Sequence, residues 1–152
     1  MSYEGTVVPV VRSQEMIRKL ILQNKGTAVA FISQPPTEGL EAQIPMEGEY
    51  YRIRISAKCR PPEGKVKTKW QGGKYVEVPP DPEKEARRIW RVIYYHLKSV
   101  FDSANTGVIE LRELLLPHIV TADNQTVAEH IIPNLSRAMT GKPERLLPAA
   151  RQ

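Results

Sequence analysis

A single cysteine, Cys59, stands in a chain of 152 residues. It excludes an internal disulfide and fits a reducing compartment. Lys58 and Arg60 flank it and favour a thiolate. With no helical or imidazole partner in view, the plain reading is an incidental thiol at a strand end. No run of about 18 apolar residues occurs, which excludes a membrane-spanning helix. The opening Met1-Ser2-Tyr3-Glu4 lacks the basic and apolar regions of a signal peptide. A soluble, cytoplasmic protein is therefore expected.

Catalytic and metal motifs are also missing. Gly72-Gly73 is followed by Lys74 but not by a helix, so no phosphate-cradling loop forms, and there is no nucleophile elbow. His96, His118 and His130 are scattered, and no pair has the i, i+4 spacing of a helical zinc site. Neither metal nor cofactor is expected. Glu110, Glu113 and Asp123 are assembled into an active site only with effort; acids near a helix N-terminus have an ordinary dipole explanation. No RNA-recognition signature, zinc-finger spacing or basic zipper appears. The expectation is a protein without catalytic residues.

Positive charge is what the chain has, in one place. Tyr50 to Tyr75 holds eight bases, Arg52, Arg54, Lys58, Arg60, Lys65, Lys67, Lys69 and Lys74, against one acid, Glu63. That stretch carries +7 (eight minus one) while the whole chain carries +5, so the remainder sums to −2. Charge gathered this way repels itself and suits a polyanion. Tyr50, Tyr51, Trp70 and Tyr75 interleave with the bases and supply flat side chains for stacking. The bland alternative is a solvated loop whose lysines keep an edge strand soluble.

The size suits one domain, here residues 1–140 with a basic ribbon or loop over 58–80 and a flexible tail over 141–152. Thirteen prolines, paired at 35-36, 61-62 and 79-80, punctuate it. A helix is expected from a Ser13 cap through Met16, Ile17, Leu20 and Ile21. Three strands follow: Thr27–Ile32, Leu40–Ile44 and Tyr50–Ile55, the last two joined by a turn at Glu47-Gly48-Glu49. The two-residue period of the third places Arg52 and Arg54 on one face, opposite Tyr51, Ile53 and Ile55. Val66–Trp70 and Lys74–Val78 flank Gln71-Gly72-Gly73 as a second hairpin.

Pro80-Asp81-Pro82-Glu83 starts a long helix with an apolar stripe through Ile89, Ile93, Leu97 and Val100, and with Arg87 and Arg91 on a different side. Ile109–Ile119 reads as a shorter helix. Thr126 and Glu129 then form a capping box for a last helix, which Pro133 kinks or divides. Residues 102–140 hold five acids and two bases, so this half is not a phosphate reader throughout. A helix-turn-helix around Thr121–Gln125 is weighed and set aside, because the second helix offers one arginine, Arg137. The fold class is α+β: an N-terminal helix, a small antiparallel sheet with a basic ribbon, and a C-terminal three-helix region packed on the sheet.

Arg87-Arg88-Ile89-Trp90-Arg91, Ile119-Val120, Asp123 to Glu129, Ile132-Pro133 and Leu147-Pro148 together are similar to a pattern in small uncharacterised proteins of bacteriophages, prophages and other bacterial mobile elements. Arg12 to Leu20 and Tyr51 to Ile55 resemble the group's opening helix and basic strand. This chain departs from it at Asn124, where the group tends to have glycine, and in its Lys69–Gly73 ribbon. The resemblance implies an accessory protein working near nucleic-acid transactions and carries over no catalytic residue.

Nucleic acid, DNA or RNA, is the expected partner. Arg52, Arg54, Lys58, Arg60, Lys65, Lys67, Lys69 and Lys74 are assigned to phosphates, Trp70 and Tyr75 to stacking, and Arg87 and Arg91 to an extension of the track. The alternative is a protein-interaction module, a subunit or inhibitor in a larger complex, or a homo-oligomer.

Overall fold

The computed structural model describes residue 3 and residues 5–60, 67–78 and 82–140, with backbone alone for 67–69, 75–78 and 82. The elements expected near Lys65 and over 141–152 lie outside the described residues.

Helix α1 spans Val10–Gln23 and buries Ser13, Ile17 and Ile21, one stripe at four-residue spacing. Ser13 therefore does not cap the helix as the sequence suggested. Pro9 precedes the first turn in extended conformation and its carbonyl accepts from Ser13 N at 3.2 Å. The Ser13 hydroxyl is fully buried and has no hydrogen-bond partner among the described residues.

Strands β1 (Thr27–Gln34), β2 (Thr37–Met46) and β3 (Glu49–Lys58) form an antiparallel sheet in the order β1-β2-β3. Glu47 (φ 50°) and Gly48 (φ 83°) make the two-residue turn between β2 and β3. Positive φ at both positions matches the right-handed twist of a tight hairpin. Leu40, Ala42, Ile44 and Met46 of the central strand are buried, and Ile53 lies opposite Ala42 on the same face. The other face carries Glu41 opposite Arg54 and Gln43 opposite Arg52.

Helix α2 runs from Pro82 to Asn105 with Glu83 and Glu85 in its first turn, where acids favour the positive end of the dipole. Ile89, Trp90, Ile93, Leu97, Val100 and Phe101 join Ile17 and Ile21 of α1 over the apolar sheet face. Trp90 is fully buried, edge-on to Phe31 with ring centroids 5.5 Å apart. Its indole N–H donates to Glu38 at 2.9 Å, and the Ser33 hydroxyl donates to the other carboxylate oxygen at 2.9 Å. A buried carboxylate is thus satisfied by two donors, as the interior requires.

The segment expected to be one helix over 109–119 is divided. Helix α3 covers only Leu111–Leu115, and a 3-10 turn follows over Leu116–His118. Pro117 cannot donate to a continuing ladder. Ile119 is extended and bridges Ile53, while Val120 N donates to Arg52 O at 2.9 Å. The chain therefore lines the free edge of β3 before turning back. Thr126 and Glu129 form the expected capping box on helix α4, Val127–Ile131. Pro133 sits in a 3-10 turn over Ile132–Asn134 that separates α4 from helix α5, Leu135–Met139. The Val120–Thr126 bridge closes the intervening loop, so no helix-turn-helix forms.

Candidate nucleic-acid interface

The fold divides the described basic side chains into two classes. Arg52 and Arg54 do share the polar face of the sheet, and there they are tied down. Arg52 Nε donates to Glu41 Oε2 at 3.2 Å, and its Nη2 to Glu41 Oε1 at 3.2 Å and Asn124 Oδ1 at 2.6 Å. Arg54 Nε donates to Glu41 Oε1 at 2.7 Å, with Nη1 on Asn124 O at 2.9 Å and Nη2 on Asn124 Oδ1 at 2.7 Å. The Arg52 hydrogen bond, reinforced by Arg54, holds Glu41 below the usual carboxylate range against partial burial. Asn124 has φ 65°, a left-handed conformation that asparagine tolerates and a branched residue resists.

Further along the expected track the pattern repeats. Arg60 Nε donates to Glu85 at 3.2 Å, and Glu85 also accepts from Arg88. Hydrogen bonds from Arg88, then Arg60, pull the Glu85 carboxyl down to about 2. Arg87 pairs with Glu83 at 3.6 Å. Arg91 is buried; its guanidinium lies 5.5 and 5.7 Å from the Tyr94 and Tyr95 ring centroids. Burial against aromatic faces withdraws this cation from any surface track. Of the arginines assigned to phosphates, each already has an intramolecular partner.

The lysines are placed differently. Lys58 and Lys74 are exposed and have no ion pair among the described residues. Among the described residues, strands β4 (Lys67–Gln71) and β5 (Lys74–Val78) pair only with one another, as a two-stranded ribbon separate from the main sheet. Gly72 (φ 57°) and Gly73 (φ 82°) form its tight turn, a two-residue connection in which both positions require φ above zero. The register sets Lys67 opposite Val78, Lys69 opposite Val76, Trp70 opposite Tyr75 and Gln71 opposite Lys74. At the tip, Gln71, Gly72, Gly73 and Lys74 are exposed and Trp70 is 60% exposed. The ribbon thus carries an accessible indole between lysines, with close backbone approach at the glycines.

Two side-chain clusters escaped the sequence reading. His96 Nε2 and His118 Nε2 lie 3.4 Å apart, with their rings edge to face. Burial, and then the nearby His96, lowers the His118 pKa. In the 121–125 loop, Thr121 bonds Asp123, and His130 Nε2 meets both Thr121 Oγ1 at 3.0 Å and Asp123 Oδ2 at 2.9 Å. Because hydroxyl and carboxylate converge on one ring nitrogen, no relay runs across the imidazole as a nucleophilic triad needs. This cluster braces the loop that presents Asn124. Glu110 occupies the N-cap position of α3 without a side-chain capping bond, and Glu113 lies in its first turn, the dipole positions expected of acids.

Cys59 is half-buried and has a free thiol, as its plain reading has it. Burial first, and then Glu38 and Glu85, push its thiol upward, so flanking Lys58 and Arg60 do not yield a thiolate. Among the described residues no group of three or more His, Cys, Asp or Glu is arranged to hold a metal ion, and no helix is long and apolar enough to cross a membrane.

Glu41 was the anchor most open to sequence reasoning, since strand alternation alone puts it on the arginine face. Asn124, seventy positions from Arg54, carried no local signal. No protein-family model, curated protein or solved structure matches this chain.

Proposed function

We propose that this chain is a non-enzymatic nucleic-acid-binding accessory protein that uses the β4–β5 ribbon. The observation that carries the reading is Trp70, 60% exposed at the tip of a lysine-bearing hairpin whose turn is two glycines. The exposed part of the indole offers a flat apolar surface on which bases stack with little regard to sequence. Lys58, Lys65, Lys67, Lys69 and Lys74 contact phosphates, and Tyr75 assists Trp70. Arg52, Arg54, Arg60, Arg87 and Arg91 hold the scaffold together instead. The setting in a bacterium, phage or mobile element, and in the cytoplasm, rests on the resemblance and composition already described.

The test is fluorescence anisotropy with labelled single- and double-stranded oligonucleotides at two salt concentrations. Five lysines each neutralising one phosphate give a log–log salt slope of about −4.5 on duplex DNA and about −3.5 on single strands. Replacing Lys67, Lys69 and Lys74 with glutamate abolishes binding and leaves thermal unfolding in place. Unchanged affinity in that variant rejects the proposal.

A second reading, a protein-interaction module, is favoured by Ile132, Leu135 and Met139, which are 66%, 44% and 79% exposed at helical spacing on the last turns. A pull-down that keeps its partner after nuclease treatment supports this reading over the first.

A further inference from the structure

We propose that His96 and His118 form a binding site for a borderline divalent transition-metal ion, with Zn2+ as its representative. His96 is exposed on α2, and His118 ends the 3-10 turn that follows α3, so the pair is assembled by packing of two elements. Their Nε2 atoms are 3.4 Å apart. A hydrogen bond between two imidazoles closes to about 2.7–3.2 Å, so this separation is long for one. A tetrahedral ion with Zn–N bonds of about 2.0–2.1 Å spaces two ligand nitrogens by about 3.3–3.4 Å. The observed gap matches that chord, the spacing of two imidazole nitrogens on one ion.

Imidazole nitrogen selects zinc, copper and nickel; magnesium and calcium prefer oxygen donors. No third His, Cys, Asp or Glu completes the shell among the described residues, so the ion keeps positions for water or an outside donor. Binding clips the 116–118 turn to α2, on the part of the molecule that also carries the Ile119–Ile53 bridge.

Calorimetric titration of the full chain, freed of metal by chelation, with ZnCl2 tests this. One site per chain is expected, insensitive to excess Mg2+. His96→Ala weakens it on the order of tenfold or more, and His130→Ala, at the separate Thr121–Asp123 cluster, leaves it intact. Because His118→Ala can disturb packing, His96→Ala carries the decision, and both Nε2 resonances must move on Zn2+ addition in nitrogen-detected spectra. An unaltered titration in His96→Ala, loss in His130→Ala, or displacement by Mg2+ overturns the site.

Discussion

Replacing Arg54 with alanine distinguishes a cation that holds the fold from one that waits for phosphate. The Arg54 side chain is 16% exposed and places three N–H groups within 2.7–2.9 Å of Glu41 and Asn124. Arg52 continues to serve Glu41 and Asn124 Oδ1 after the substitution, and the Asn124 carbonyl, which loses Arg54 Nη1, belongs to an exposed residue that water can reach. The loss is then that of one charge-assisted network at a partly screened site, on the order of 2 kcal/mol. For a chain of this length that lowers Tm by about 4–8 °C. Thermal unfolding followed by circular dichroism reads the shift, and oligonucleotide anisotropy at fixed salt reads the affinity, which stays within about twofold of wild type at a temperature where both proteins are folded. A variant with unchanged Tm, reduced affinity and a salt slope shallower by about one refutes the reasoning, because that is the signature of a lost phosphate contact.

Two other perturbations follow from the scaffold. A Cβ at Gly39 falls 2.6 Å from Ile55 O and 2.7 Å from Ser56 Cβ, both in the paired strand, so Gly39→Ala costs about 3 kcal/mol by urea unfolding; a loss under about 0.5 kcal/mol contradicts the close β2–β3 approach. Glu85 is held to about 2 in the fold against 4.5 ordinarily, so the unfolded chain takes up its proton first as pH falls. Its stabilisation is complete above about pH 4.5 and disappears as pH drops through 2, and Glu85→Gln flattens that part of the Tm–pH curve; an identical acid limb in the variant rules this out.

The features legible in the sequence alone are local. The Thr126–Glu129 capping box spans three positions, Pro133 removes its own donor, and Glu47-Gly48 supplies its own backbone preference; each needs no distant partner. The ribbon likewise followed from Gly72-Gly73 between two strand-like runs. Misreadings arose wherever packing decided. Ser13 has a cap's chemistry, but Ile17 and Ile21 set the buried stripe and drew it inside. The clustered charge was legible as composition, whereas its distribution was not: Glu41, Glu85 and Asn124 reach the arginines from other elements, while Lys58 and Lys74 are exposed. His96 and His118, scattered in sequence, meet only because α2 and the turn after α3 pack together.

Tryptophan emission gives the most direct access to the ribbon, since the chain has two indoles, Trp70 60% exposed and Trp90 fully buried. Titration with a single-stranded oligonucleotide at low salt is expected to quench the exposed one, with salt restoring the signal and Trp70→Phe abolishing the change without moving Tm. Emission that stays constant through saturating oligonucleotide, or quenching that persists in Trp70→Phe, contradicts a base-stacking tip.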